Sequence, residues 1–464
     1  MHRAPKIRVT SFALGQRVCV TRLPFRFGAV TMERAPSLCL RTAVVVDGGR
    51  DEAVGHAEDL LVPRWFDKDP GKTVEEDQAA LVDAARRAAT AALALPAGTV
   101  AEVAEAVTAA VHAGTAPLAP QRLRLGFGAA LLERAVLDAV ARAHQASFFA
   151  GLHAGLFGVA PEVTAALPRA PAETVVVRHT VGMQDPLDGD RADGLSDGLP
   201  RTLVDAIRAY GLRAFKVKIG AGRKADHDRL LAVHRVLAAE APANWRCTLD
   251  ANEQYADLDA LEGLLDDLAA TPAGRDLAAR VLHLEQPLPR HATFDPAHAG
   301  ALQRIARHVP LLIDEADVDA GAFAAARAVG FQGVSMKSCK GVLRAVAQHA
   351  ECAALRAQGI AAFQSAEDLT TLPVLALHQD LATVQALGLP HVERNGHHYF
   401  RGLDHLPPAE AAAAVRAHGD LYRPLGNGHA LAITDGRLRL GSLTCAGFGY
   451  GGPVDFAARA PVDG

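Results

Sequence analysis

The sequence has no Lys/Arg tract and no interleaving of aromatic with basic residues. Its 48 Lys and Arg are outnumbered by 52 Asp and Glu, a formal charge of −4. A nucleic-acid partner would call for a basic patch, so that class is set aside. No run reaches 18 apolar residues free of polar breaks, which argues against a membrane-spanning helix. The basic start, MHRAPKIRVTSFALGQRV, lacks the continuous apolar segment and cleavage signal of a secretory leader. Six cysteines (Cys19, Cys39, Cys247, Cys339, Cys352 and Cys445) are scattered, without metal-site spacing or a dense disulfide pattern. A soluble protein in a reducing cytoplasm is expected. No strand candidate is followed by G-x-G-x-x-G, so a dinucleotide crevice has no support.

Half of the 464 residues are apolar and 22% are charged, as in chains that bury a large core. Alanine-rich segments of high helix propensity recur, so helices should outweigh strands. The first 45 or so residues alternate in short pieces, KIRVTSFAL, QRVCVTRLPF and SLCLRTAVVVDG, which read as hairpins. Helical segments broken by PAG and PLAP follow, giving an α+β unit over residues 1–165. The texture then becomes regular. TVVVRHT, AFKVKIG, RCTLDAN, VLHLEQP, PLLIDEA, GVSMKSC, IAAFQS and HVERN are separated by helix-like stretches. Eight strands alternating with helices predict an α/β fold, a closed (β/α)8 barrel over residues 166–408. In the tail, residues 409–464, ALAITDGRLRLG reads as a hairpin expected to return to the N-terminal sheet.

The charged residues of this region collect at the carboxyl ends of the strands. They are Lys216 and Lys218, then Asp250, Glu285, Asp314 or Glu315, then Lys337 and Lys340, and last Glu393. In a barrel these ends converge on one mouth. Three acids from successive strands, with Asn252 beside the first, offer hard oxygen ligands suited to Mg2+. Zn2+ would favour His or Cys, and the set includes neither. Lys216 and Lys218, one residue apart in a strand, share one face.

KVKIG, TLDANEQY, LEQPL, LIDEAD and VSMKSCKG, in that order, resemble the enolase superfamily. The likeness is to the branch of muconate-lactonizing enzymes, dipeptide epimerases and o-succinylbenzoate synthases, with mandelate racemases more distant. The resemblance implies a modified TIM barrel beneath an α+β capping domain built from both chain ends, and a bound Mg2+. It implies Asp250, Glu285 and Asp314 as metal ligands, with Glu315 as second choice to Asp314. Lys218 resembles the acid/base on one face of the substrate. Lys216 would be its companion, lowering its pKa or touching the substrate carboxylate. Lys340 matches the acid/base of the opposite face, although Gly-Val follows where the branch has Gly-Gly. A register anchored on Gly341 would instead place Ser338 there and leave Lys337 as the nearest amine.

The implied chemistry is Mg2+-dependent abstraction of the proton α to a carboxylate, through an enediolate. The metal stabilises charge developing on the carboxylate, and a lysine serves as base if burial and neighbouring cations disfavour its ammonium form. An isomerase, either a racemase/epimerase or a cycloisomerase, is the expected outcome. A lyase, such as an acid dehydratase or an o-succinylbenzoate-synthase-like enzyme, is the alternative, and a non-catalytic barrel that binds ligands is a third. The partner implied is a small-molecule carboxylate, with no nucleic acid or membrane, and cap contacts of the family kind imply a homo-oligomer.

For substrate binding the expectations are Arg26 in the cap loop LPFRFGAVTM, Asn252, Glu367 beside Asp368 on the seventh strand, and Glu393 with Asn395 on the eighth. ERN carries one acid where dipeptide epimerases show Asp-x-Asp, and AAFQSAED lacks the seventh-strand His of mandelate racemase relatives. His179, His397 and His398 are candidates near the mouth. The Asp/Gly-rich insert near residue 185 reads as a lid or a flexible loop.

Overall fold

The computed structural model describes residues 3–27, 30–189 and 195–462. Parts of the cap loop (28–29) and of the insert (190–194) therefore lie outside the described residues. The chain opens with β1 (Ile7–Phe27), β2 (Val30–Val46) and β3 (Glu52–Leu60), an antiparallel sheet in the order β1-β2-β3. The β1–β2 register slips between Val20 and Phe25, so the hairpin tip bends away from the rest of the sheet. Three helices cover one face: α1 (Val74–Leu93), α2 (Val100–His112) and α3 (Gln121–Ala143). Thr73 with Glu76, and Thr99 with Glu102, form reciprocal capping boxes that start α1 and α2. Helix α3 is buried along most of its length between α1 and the sheet. Glycine makes this close approach possible, because a Cβ on Gly55 would lie 2.0 Å from the Ala135 carbonyl oxygen.

Eight parallel strands follow: β4 (Thr174–Val181), β5 (Ala214–Lys218), β6 (Arg246–Asp250), β7 (Val281–Glu285), β8 (Leu311–Ile313), β9 (Gly333–Met336), β10 (Phe363–Ala366) and β11 (His391–Arg394). Each pairs with its successor, and β11 pairs back onto β4, closing the barrel. The register aligns Lys218 with Asp250 and Asp250 with Glu285, one layer at the carboxyl ends of three neighbouring strands. Glu285 aligns with Leu312, so Asp314, two residues on, continues the inward face, whereas Glu315 falls on the other parity.

The tail departs from the sequence expectation. Its strands are β12 (Tyr422–Leu425), β13 (Gly428–Leu431), β14 (Arg437–Arg439) and β15 (Ala460–Pro461). ALAITDGRLRLG turns back on itself through the Thr434–Arg437 pair, but it does not join the N-terminal sheet. Its first part pairs β13 with β12, and its second part, β14, pairs antiparallel with barrel strand β4. Only β15 reaches the cap sheet, beside β1 at Gly15 and Gln16. β14 covers Thr174–Val176 at the start of β4, ahead of the residues that β5 pairs from Arg178 on, and β15 covers the edge of the cap sheet. Among the described residues, no helix is long and apolar enough to cross a membrane.

Candidate active site

Lys216 lies on the barrel axis, 1% exposed, and its ammonium is within 3.0 Å of four carboxylates: Asp250, Glu285, Glu367 and Glu393. Burial alone would lower its pKa, but the four negative charges outweigh that and hold it well above the ordinary lysine value. Its charge is spent on acids contributed by four different strands, which sequence spacing could not reveal. Lys218, one layer further out, donates to Asp250 Oδ2 at 2.5 Å. Burial raises Asp250, but Lys216 and Lys218 together bring it down to about 2.

Across the barrel, Lys337 donates to Asp314 Oδ2 at 2.6 Å, and its ammonium stands 4.3 Å from the centre of the Trp65 ring. Lys337 extends β9 in strand parity, so its side chain points to the mouth. Lys340 follows a short 3-10 turn (Ser338–Lys340) that carries it behind Asp314. There it donates to the Asp314 carbonyl oxygen at 3.1 Å and to Ser335 Oγ, and it pairs with Asp317 at 3.0 Å. Lys337 lines the pocket above the barrel together with Lys216 and Lys218, and Lys340 does not. The placing of Lys340 across from Lys218 is corrected accordingly, and Ser338 is turned away to donate to Asp380.

The same pocket is walled by Phe25, Phe27, Val62, Trp65 and Leu369, with Asn252, Asp368, Glu393 and Asn395 on its rim. Glu393 reaches it with both oxygens engaged, Oε1 by Thr180 and Oε2 by Lys216 and the Asp368 amide. Two expectations are corrected. Arg26 sits between Phe25 and Phe27 on β1, so it faces away from the pocket that the two phenylalanines enclose. Glu367 lies deeper in the barrel, bonded to Arg178, Ser365 and Lys216. His179 and His397 are buried against each other, with Nδ1 and Nε2 3.0 Å apart, and neither lines the lysine pocket. Trp65 is missing from the sequence reading. Its one available signal was rarity, since the chain holds two tryptophans.

The donor set for a cation is present but divided. Among the described residues, the group drawn within 4.8 Å is His283, Glu285 and Glu367, whereas in the Asp250–Glu285–Asp314 trio the first two meet Lys216 and the third meets Lys337. The deeper group already holds Lys216 and Arg178, which disfavours a further cation there. Lys216 lies 3.0 Å from Glu285 Oε1 and 2.8 Å from Oε2, yet burial together with Asp250, Glu367 and Asp314 pushes the carboxyl well above its usual range. Asp250, Glu285 and Asp314 are hard oxygen donors of the kind a divalent cation takes, and each is met by a lysine here. Glu315 points outward instead, accepting from Asn252 at 3.2 Å.

Residues 199–435, just over half of the chain, match the family model described as Enolase C-terminal domain-like. No curated protein matches the sequence. Solved structures share the fold over nearly the full length. An enolase from Bradyrhizobium complexed with magnesium and mandelic acid is 16% identical, with 99% of each chain covered and a TM-score of 0.60. 2-Chloromuconate cycloisomerase from Rhodococcus opacus is 17% identical, covering 98% of this chain and 100% of that one, at TM-score 0.63. Muconate lactonizing enzyme from Pseudomonas fluorescens, complexed with muconolactone, is 15% identical, covering 98% and 99%, at TM-score 0.62. With the closed barrel beneath its cap and the strand-end lysines and acids, the family match establishes that the chain belongs to the Enolase C-terminal domain-like family, whose fold the solved structures share.

Proposed function

We propose that this enzyme moves the proton α to a carboxylate with Lys218 and Lys337 as its two acid/base groups, and that its reaction is an isomerisation. One observation carries the proposal: two lysines from strands four places apart in a ring of eight, hence across the barrel, line a single pocket. Asp250, Glu285 and Asp314 would hold Mg2+, which supplies positive charge where the substrate carboxylate accumulates negative charge. Solved relatives with magnesium and with carboxylate ligands support this reading.

The chain's own residues do the rest. Lys218 takes the α-proton at Nζ from one side, and Lys337 Nζ returns one from the other, inverting the centre. Phe25, Phe27, Val62, Trp65 and Leu369 keep bulk water from the carbanionic carbon, and Asn252 and Asn395 offer amide groups to the substrate's polar substituents. Lys216 holds four carboxylates in register and takes no proton.

The test is incubation in 2H2O with Mg2+ and a panel of chiral 2-substituted carboxylates. Deuterium entering the α-carbon with inversion is expected, and Lys218→Ala or Lys337→Ala should each slow the inversion by about 10²- to 10⁴-fold. Loss of water with a new double bond would assign a lyase instead, and unaltered inversion in Lys337→Ala would overturn the two-lysine arrangement.

A further inference from the structure

The lysine pocket is nearly filled by protein, with about 20 Å3 of free volume, but it borders a cavity of about 440 Å3. Phe27, Trp65 and Asn252 belong to both walls, so a molecule held at the lysines passes Trp65 to enter the larger space. Phe27, Val30, Trp65 and Pro70 give that space an apolar lining. Its two cations are already engaged. Arg64 donates to the carbonyls of Asp69 and Lys72, and Lys68 pairs with Glu253 and donates to the Asn252 carbonyl. Each is thereby held against the cavity wall.

The position of Trp65 is fixed from the barrel side. Arg290, 7% exposed and following β7, donates to the carbonyls of Trp65 at 2.8 Å and Phe66 at 3.0 Å. Its remaining donors meet Glu253 in a two-pronged ion pair, at 2.9 Å to Oε1 and 2.7 Å to Oε2. Glu253 stands three residues beyond Asp250, in the left-handed backbone region at φ 70°. The loop that carries a candidate metal ligand thus also anchors the cap wall.

Resting on the proton-transfer reading above, we propose that the substrate is a carboxylate bearing a bulky apolar substituent that extends past Trp65 into this cavity, and that Arg290 and Glu253 are the positioning residues that keep Trp65 on its path. A cavity of this size, with Phe27, Val30, Trp65 and Pro70 forming its apolar wall, favours apolar surface there. Glu315 Oε2, which receives no hydrogen bond beside Asn252, allows one donor on the substituent.

Calorimetric titration of the Mg2+-saturated protein with acetate and with 4-phenylbutanoate tests this directly. The phenylalkyl acid should bind about 10- to 100-fold tighter. That ratio should fall towards one in Trp65→Ala and shrink about tenfold in Arg290→Ala. A variant that is merely destabilised would melt earlier and keep the ratio. If Arg290→Ala does not fold, Glu253→Gln, which keeps the guanidinium bonds to the carbonyls, should show an intermediate ratio. Equal binding of the two acids, or a ratio indifferent to Trp65, overturns the inference. The two readings fail separately. A strong preference with no α-deuteration of any panel member sinks the proton-transfer reading alone. Deuteration of short acids with a ratio near one sinks the cavity inference alone.

Discussion

Lys337 and Lys340 are three residues apart and chemically identical, yet they have different surroundings. Lys337 continues strand parity into the mouth, whereas the Ser338–Lys340 turn rotates Lys340 behind Asp314, where it meets Ser335 and Asp317. Their substitutions should therefore separate. Lys340→Met leaves Asp317, 1% exposed, without its closest cation, and removal of one member of a buried pair costs about 3–5 kcal/mol. Urea unfolding should show a loss of that order for Lys340→Met. A stability unchanged from the parent would mean that Lys340 is not the structural member of the pair. The same contrast explains Arg26, which periodicity could have excluded from the pocket once its two phenylalanine neighbours were assigned to the apolar side.

At the scale of elements, the cap depends on α3 seating closely on β3 and α1. Gly128 on α3 would place a Cβ 2.1 Å from the Ala84 carbonyl oxygen, and Gly55 on β3 one at 2.0 Å from that of Ala135. Both obstacles are backbone, so a methyl group must push a helix or a strand. Gly55→Ala should destabilise the protein by about 1–3 kcal/mol or more, measured as a shift in urea midpoint. A neutral result would show that α3 can slide. The barrel helices act differently. Gly211, at φ 65° after the helix Leu203–Tyr210, ends that helix and turns the chain into the strand that bears Lys216 and Lys218.

At the scale of the whole molecule, several buried histidines among the described residues are held neutral. Burial, with the His398 charge, brings His179 down to about 3, and burial brings His418 down to about 4. Above pH about 6.5 these groups are neutral in both folded and unfolded chains and contribute nothing to pH dependence. Below it the unfolded chain binds protons that the folded one refuses, so stability falls as pH drops towards 4, by about 1.4 kcal/mol per unit for each histidine. Urea midpoints should decline between pH 7 and 5, and His418→Gln should flatten that decline. A flat profile in the parent would show that these rings protonate without unfolding.

The sequence by itself determined the repeating unit. Eight β-branched strands separated by helices, with a carboxylate or lysine at each of several strand ends, predict the barrel that the structure closes through β11 and β4. It also determined the chemical types at the mouth, because strand-end residues must converge once the ring closes. Tertiary structure decided how those groups are shared. Lys216 meets acids from β6, β7, β10 and β11, distances that no spacing along one strand encodes. It decided that Lys337 rather than Lys340 lines the pocket with Lys218, because the chain leaves strand geometry at Ser338 and Lys340 packs on Ser335 and Asp317. And it decided the wall of the site, since Trp65 comes from the cap and is held by Arg290 of the barrel, more than 220 residues away along the chain. Local pattern fixes which side chains a strand presents, and only long-range packing fixes what they meet.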